Sequence, residues 1–284
     1  THYHVDLEAE LADLHGKDGA LLFTSGYVSN EATLSTLAKI LPGCVIFSDE
    51  LNHACIVDGL RLARCRRFVF RHIDLNHLED GLRAEAARNE PGRERFVITE
   101  SLFSMDGDRA PLREIVGLCE RYGANLVVDE AHTTGCVGAT GSGCVDAAGI
   151  RSRVLTSVHT GGKALAVPGA YIVGSRLLKD YLTNRCRHLI FTTALPPAVG
   201  AWWVGGIRRV RPDRVSRERL CANASHLRLE LAGRGIVPGG TEYIVPVIVG
   251  DDARAVAAAA RIREHGFDVR AIRPPSVRAG TARL

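Results

Sequence analysis

Residues 124–132, Ala-Asn-Leu-Val-Val-Asp-Glu-Ala-His, place two acids and a histidine directly after a run of aliphatic side chains. A continuous apolar run of this kind is typical of a strand in a parallel sheet that is covered on both faces. Asp129 would then lie at the carboxyl end of the strand, where open α/β sheets bind their ligands. A carboxylate there can keep a heterocyclic nitrogen protonated, and His132 can donate to an oxygen of the same ring. The alternatives for Asp129 are a magnesium ligand and a helix cap.

Strand-like and helix-like stretches alternate along the chain around this segment. Strands are predicted at 20–23, 44–47, 67–70, 96–99, 126–128, 154–158 and 170–173, and helices at 27–39, 53–63, 77–87 and 112–122. Beyond Pro196-Pro197 we predict helices at 198–210 and 216–231, then a strand at 244–249, a helix at 253–265 and a strand at 268–272. The alternation predicts an α/β fold with a mainly parallel central sheet. We expect a large domain over residues 1–205 and a smaller C-terminal α/β domain over residues 206–284.

Composition excludes several classes of protein. The chain has 284 residues and a formal net charge of +4, which is too small an excess to predict nucleic-acid binding. It contains no run of eighteen apolar residues, so no transmembrane helix is expected. None of its 8 cysteines is spaced C-x-x-C, which favours reduced thiols in a cytoplasmic protein over a metal site. The single methionine is Met105 and the chain begins with Thr1, so we expect a fragment of a longer protein.

Two turns near the beginning of the chain carry candidate ligand-binding residues. Residues 24–27, Thr-Ser-Gly-Tyr, join a predicted strand to a helix, and a glycine beside free helix N–H groups can approach a phosphate. In the second turn, His53 follows the next strand and can stack on a flat ring. Asn52 is expected to cap the helix that begins there. An ordinary turn and a surface histidine remain open as alternatives.

A third turn reads His-Thr-Gly-Gly-Lys over residues 159–163. Lys163 can form a Schiff base if burial lowers its pKa, and the Thr160 hydroxyl can bind phosphate. The order of residues does not match the G-x-x-x-x-G-K-[ST] loop of nucleotide-binding proteins. An anion-binding turn, a stacking histidine, an acid for a ring nitrogen and a lysine together describe a site for pyridoxal 5'-phosphate (PLP).

The chain resembles the α-oxoamine synthases, PLP-dependent enzymes with the fold type I architecture. The resemblance is carried by ordered blocks along nearly the whole sequence: 4–8, LFTSGYVSN (22–30), SDELNHA (48–54), ESLFSMDGDRAPL (100–112), VDEAH (128–132), TGGKAL (160–165), FTTALPP (191–197) and IRPPSVRAGTARL (272–284). It implies a large PLP-binding domain, a smaller C-terminal domain, a homodimer, and acyltransferase activity.

The resemblance also implies a role for each matching residue. It implies that Lys163 binds the cofactor covalently and moves the substrate α-proton, and that Asp129 is the partner of the ring nitrogen. His53 matches the stacking histidine. The remaining matches are cofactor contacts at Gly26, Tyr27, Ser104, His132 and Thr160, and substrate contacts at His53 and Ser276.

The family joins an amino acid to an acyl thioester of CoA or a carrier protein, with loss of CO₂. Residues 24–54 are similar to members that use glycine and succinyl-CoA. The blocks around Lys163 and at the end of the chain are similar to members that use L-alanine and a pimeloyl thioester for biotin synthesis. Because these blocks face the substrate, alanine is favoured. The family's N-terminal segment is not found before Thr1, and its substrate carboxylate-binding arginine would follow Leu284.

Overall fold

The computed structural model describes residues 1–41, 43–88, 90 and 92–284. It contains the following helices and strands in chain order: α1 (His2–His15), β1 (Gly19–Phe23), α2 (Gly26–Ile40), β2 (Val45–Asp49), α3 (Ala54–Ala63), β3 (Arg66–Phe70), α4 (Leu75–Ala86), β4 (Arg95–Glu100), α5 (Leu112–Arg121), β5 (Ala124–Asp129), α6 (Cys144–Ala147), a 3₁₀ turn (Arg151–Arg153), β6 (Thr156–Thr160), β7 (Ala170–Gly174), α7 (Arg176–Arg185), α8 (Arg187–Ile190), α9 (Pro197–Val210), α10 (Arg214–Gly233), β8 (Ile248–Gly250), α11 (Asp252–Glu264) and β9 (Ala282–Arg283).

The central sheet has seven strands in the order β1-β7-β6-β5-β4-β2-β3. Strands β2 to β6 run parallel to one another, and β7 is antiparallel to both of its neighbours, β6 and β1. The predicted α/β fold with a mainly parallel sheet is therefore confirmed. The carboxyl ends of the five parallel strands meet at one edge of the sheet, which brings the residues that follow them close together.

Apolar side chains cover both faces of the sheet because residues along a strand point alternately to either side. On one face, α2, α3 and α7 pack on the strands through Leu34, Leu37, Ile56, Leu60 and Leu182. On the other face, α1 and α9 contribute Leu7, Leu11, Leu14, Trp203 and Ile207. Strand β7 shows the alternation directly, since Ile172 belongs to the first cluster and Tyr171 and Val173 to the second.

The chain divides into two compact units. The first consists of residues 1–101 and 110–214, and the second of residues 102–109 and 215–284. The second unit contains a two-stranded antiparallel sheet of β8 and β9, and the helix α11 lies between these strands in the chain. The expected division of domains at residue 205 stays a prediction.

Among the described residues, no helix combines the length and apolar character that a bilayer span requires.

Several sequence predictions for the second unit were wrong. The stretch 268–272 is not a strand, and among the described residues it forms one isolated bridge, between Ile272 and Arg283. The strand predicted at 244–249 begins later and is shorter, at Ile248–Gly250. In the first unit, the helices α1 and α7 were not predicted.

Candidate active site

The candidate active site lies where the parallel strands end. Glu100 ends β4, Asp129 ends β5, Thr160 ends β6, and His53 follows the turn after β2. One pocket of the first unit is lined by Gly26, Tyr27, Asn30, His53, Cys55, Glu100, Asp129, Ala131, His132, Val158, His159, Thr160 and Lys163. All of the predicted site residues that belong to this unit are among them.

Asp129 is fixed from two sides at the base of the pocket. Its side chain is 5% exposed. The backbone N–H of Ala131 donates to Oδ1 at 2.7 Å, and Nδ2 of Asn30 donates to Oδ2 at 2.6 Å. No helix begins after Asp129, so the helix-cap alternative is wrong. A buried carboxylate held by two donors is a rigid acceptor for a further ligand donor.

Lys163 and His132 meet in the same pocket. Nζ of Lys163 and Nε2 of His132 form a hydrogen bond of 2.6 Å. Burial lowers the pKa of His132 to about 3, and the nearby Lys163 ammonium adds to this effect. Burial also lowers the pKa of Lys163, against the opposite influence of Asp129 and Glu100. His132 is therefore a neutral ring at ordinary pH, and the lysine amine loses its proton more readily than a lysine in water.

Glu100 is an acidic group of the pocket that the sequence analysis did not single out. It is 3% exposed and lies beside Asp129 in the register of β4 and β5. Its Oε1 accepts a hydrogen bond from the backbone N–H of His53 at 2.7 Å. Burial, together with the negative charge of the neighbouring Asp129, raises the pKa of Glu100 to about 8. Its position at a strand end, equivalent to that of Asp129, was the signal available in the sequence.

His53 and Tyr27 form the outer wall of the pocket. His53 itself caps α3, because its Nδ1 accepts from the backbone N–H of Cys55 at 3.3 Å. The expectation that Asn52 caps this helix was wrong, since its buried amide donates to Ser48 and to the carbonyl of Ile98. The rings of Tyr27 and His53 lie 6.4 Å apart, edge to face, and the Tyr27 hydroxyl donates to a carboxylate of α3.

The turn that carries Lys163 is tightly packed. The Thr160 hydroxyl donates to the Gly169 carbonyl at 3.3 Å and accepts from the Gly162 N–H at 3.3 Å. A Cβ on Gly161 would lie 2.4 Å from the Trp203 ring and 2.4 Å from the carbonyl of Val167. Only glycine fits at position 161 without displacing its neighbours, so this turn depends on that residue.

Ser104 and Ser276 belong to the second unit. The 102–109 segment that contains Ser104 is held there by Arg283, whose guanidinium donates to the Met105 carbonyl at 3.0 Å and to Asp106 at 2.7 Å. Ser276 is exposed, and its backbone N–H donates to the carbonyl of Arg273 at 3.0 Å. The cofactor contact of Ser104 and the substrate contact of Ser276 stay predictions.

No metal was predicted for the site. Within the described part of the chain, no three histidine, cysteine, aspartate or glutamate side chains are grouped so that they could hold a metal ion.

Comparison with known proteins identifies the family. The whole chain, residues 1–284, matches the aminotransferase class I and II family. The chain belongs to that family. It is 44% identical to an 8-amino-7-oxononanoate synthase from Chlorobaculum parvum, over 98% of this chain and 70% of the relative. It is 42% identical to a 5-aminolevulinate synthase from Rhizobium meliloti, over 100% of this chain and 70% of the relative. Both relatives are α-oxoamine synthases, and the chain belongs to this group of the aminotransferase class I and II family.

A solved structure of similar fold comes from the same group. It is serine palmitoyltransferase from S. paucimobilis with bound PLP-myriocin, which superposes with a TM-score of 0.92 at 32% identity. The match covers 100% of this chain and 71% of that one. The predicted family resemblance and the fold type I architecture are therefore confirmed.

Proposed function

We propose that the protein is a PLP-dependent synthase that joins L-alanine to a pimeloyl thioester, the reaction of 8-amino-7-oxononanoate synthase in biotin formation. The thiol carrier, CoA or a carrier protein, and CO₂ leave, and an α-oxoamine remains. The observation that carries the proposal is that Lys163, Asp129 and His132 line the same pocket. The alanine-using relative, at 44% identity, supports the choice of substrates.

The residues of the pocket fit PLP in their chemistry. A buried acid, Asp129, suits a protonated ring nitrogen, and a lysine amine, Lys163, suits an aldehyde. Asn30, which lines the pocket, fixes the Asp129 carboxylate through its Nδ2, and its own Oδ1 is buried without a hydrogen-bond partner among the described residues. When bound, PLP supplies an electron sink for the electron pair left on the substrate α-carbon.

Lys163 is the residue we assign to proton transfer. Its lowered pKa increases the fraction of neutral amine, which is the form that attacks a carbonyl and accepts a proton from the α-carbon. Nε2 of His132 lies within hydrogen-bonding distance of Nζ, and the lowered pKa of His132 keeps its ring neutral. The histidine thereby orients the amine without adding a positive charge to the pocket.

The other predicted contacts complete the proposal. We assign cofactor contacts to Gly26, Tyr27, His53, Ser104 and Thr160. Ser276 is assigned to the substrate. Glu100, with its raised pKa, is protonated at neutral pH and orients the backbone of His53 without adding a negative charge.

We further propose a homodimer in the cytoplasm, where acyl thioesters are available. Three large apolar side chains of the first unit are exposed: Ile190 is 49% exposed, Phe191 71% and Trp202 62%. Burial of apolar surface at a subunit interface is favourable, so we assign these residues to the dimer contact. Light scattering of the purified full-length protein measures the mass directly.

The second candidate function is 5-aminolevulinate synthase, which uses glycine and succinyl-CoA. The 5-aminolevulinate synthase relative matches 100% of this chain and 70% of its own length at 42% identity. This match favours the second candidate function. An absorption titration of the PLP-loaded, full-length protein with L-alanine and with glycine in parallel separates the two. Saturation at a lower concentration of alanine supports the first proposal. Saturation at a lower concentration of glycine would contradict it in favour of the second.

A further inference from the structure

Two cysteines of the first unit lie side by side at the beginning of neighbouring strands. Cys44 directly precedes β2 and Cys65 directly precedes β3. These strands pair in parallel with Val45 opposite Arg66, so the residues one position earlier are neighbours in the same register. Adjacent strands lie about 4.8 Å apart, which is within the range of Cα separations that a disulfide spans.

Both thiols point to the same side of the sheet. Cys44 is fully buried in the apolar cluster formed by α2 and α3, and Cys65 packs against that cluster while remaining partly exposed. Paired residues of a parallel ladder direct their side chains to one face. The partly exposed Cys65 is thus accessible to a small reagent, and Cys44 lies behind it.

The two thiols differ in acidity. A hydrogen bond from the Cys44 thiol lowers the pKa of Cys65 to about 7, and the nearby Arg67 guanidinium contributes. The same contact raises the pKa of Cys44 well above its usual range. Cys65 is therefore ionised more readily than an ordinary cysteine, and its thiolate is the reactive form, whereas Cys44 remains a thiol beside it.

We propose that Cys44 and Cys65 form a reactive thiol pair that hydrogen peroxide converts into a disulfide between the residues that directly precede β2 and β3. In the first step the Cys65 thiolate attacks one peroxide oxygen and becomes a sulfenic acid, and hydroxide leaves. In the second step the Cys44 sulfur displaces water from the sulfenic acid and forms the S–S bond. Both sulfurs are oxidised and one peroxide is reduced to two waters.

This pair is separate from the candidate active site. The site lies at the carboxyl ends of the parallel strands, whereas the two cysteines lie at the opposite ends of β2 and β3. A five-residue strand spans about 17 Å. The pair uses none of the residues assigned to PLP, so the inference does not depend on the proposed function.

Alkylation with iodoacetamide tests the role of Cys44. In the C44A variant, the pKa of Cys65 is expected to return from about 7 toward 9.0. At pH 7 the thiolate fraction then falls from about a half to about one per cent, while each thiolate becomes more nucleophilic, giving a net slowing of roughly fivefold. The control is C119A, which removes a lone buried thiol and is expected to leave the rate at Cys65 unchanged. An unchanged rate in C44A would overturn the proposal.

Peroxide treatment tests the disulfide itself, in a C221S background that removes an exposed thiol. Trypsin should yield peptide 40–61 joined to the dipeptide Cys65-Arg66, and treatment with a reductant should separate them. Fragmentation of the joined peptide distinguishes Cys44 from Cys55. The joined peptide should be absent from C44A. Oxidation of Cys65 to sulfinic acid without a joined peptide, or a link to Cys55, would contradict the proposal.

Discussion

Lys163 is the residue whose chemistry the proposed reaction needs most, because its amine is the only lysine amine among the pocket-lining residues. Lys163→Ala is expected to lower the exchange of the α-proton of L-alanine by about 10²- to 10⁴-fold, the usual contribution of a positioned base. Deuterium incorporation followed by NMR measures this rate in the PLP-loaded protein. Lys39→Ala, at the exposed end of α2, is the matched control and should exchange at the parent rate. Parent-rate exchange in Lys163→Ala would rule out the assigned role.

Ile73 is a residue held in a strained conformation. Its φ is +54°, a left-handed conformation that a β-branched side chain rarely adopts. Its backbone N–H donates to Asp49 at 2.9 Å, and the ring of His72 binds the same carboxylate at 2.8 Å, so the turn is held in place. Strain of this kind costs about 1–2 kcal/mol.

Ile73→Asn should therefore raise the free energy of unfolding by about 1 kcal/mol, because asparagine tolerates this conformation. Urea unfolding at an unchanged m-value measures the gain. Arg64→Asn is the comparison, since Arg64 has a φ of +53° but an unbranched Cβ, and its gain should be smaller. A lower urea midpoint for Ile73→Asn would show that the side chain contributes more through packing than it costs in strain.

At the scale of single residues, the sequence pointed to groups at strand ends and was less informative about groups inside helices. Asp129, Thr160 and Lys163 follow recognisable strands, and the structure brings them into one pocket. Asn30 was missed because it lies within α2, where only the helix orientation shows that it faces Asp129. Glu100 was missed because its raised pKa comes from burial and from the nearby carboxylates of Asp129 and Asp49, which only the folded structure brings together.

At the scale of elements, apolar runs predicted several strands of the central sheet well, including its two edge strands β1 and β3. The predicted strands at 20–23, 67–70 and 170–173 agree with β1, β3 and β7 to within one residue at either end. The stretch 268–272 was predicted as the last strand of a strand-helix-strand pattern, yet among the described residues it pairs through Ile272 alone, with a strand, β9, that is two residues long. Helix α1 lies at the beginning of the chain, and its apolar residues are recognisable as a packing face only from their contact with α9.

The turn between β6 and β7 depends on α9, and this dependence is testable. Trp203 of α9 donates from Nε1 to the Pro168 carbonyl at 2.9 Å and fills the space next to Gly161. Gly161→Ala is expected to displace this ring or the turn, to lower the free energy of unfolding by about 1–3 kcal/mol, and to weaken PLP binding. Urea unfolding and a PLP titration measure the two effects. Gly162→Ala is the control, because its Cβ would meet nothing closer than 3.7 Å. Equal effects of the two substitutions would contradict this account.

The first unit as a whole contains a buried imidazole network beside the pocket. Nε2 of His15 is 2.9 Å from the Tyr171 hydroxyl, and the His15 and His159 rings lie 4.1 Å apart. The Thr134 hydroxyl donates to the Glu130 carbonyl, so it accepts from Nδ1 of His159 at 2.8 Å. Burial lowers the pKa of His15 to about 3 and lowers that of His159 as well.

The lowered pKa values predict how stability depends on pH. Between about pH 6.5 and 3 the unfolded chain binds a proton at His15 that the folded chain does not, so the free energy of unfolding falls as the pH falls. Within this window, each such histidine makes the free energy of unfolding fall by up to about 1.4 kcal/mol for each pH unit of acidification. Above the window, its contribution to the free energy of unfolding no longer changes with pH. His15→Asn should reduce the slope by nearly that amount in urea unfolding at pH 4.5, 5.5 and 7.5. His2→Asn, at an exposed position, serves as the control. Equal slopes of the free energy of unfolding against pH in His15→Asn and in the parent protein would refute the prediction.

For the molecule as a whole, the central claim is that it condenses an amino acid with an acyl thioester. The most direct measurement is the release of labelled CO₂ from carboxyl-labelled L-alanine by the PLP-loaded, full-length protein, with and without pimeloyl-CoA. A condensing enzyme should release CO₂ only when the thioester is present, in an amount equal to the free CoA formed. Conversion of alanine to pyruvate without CO₂ release would instead indicate an aminotransferase and would contradict the account.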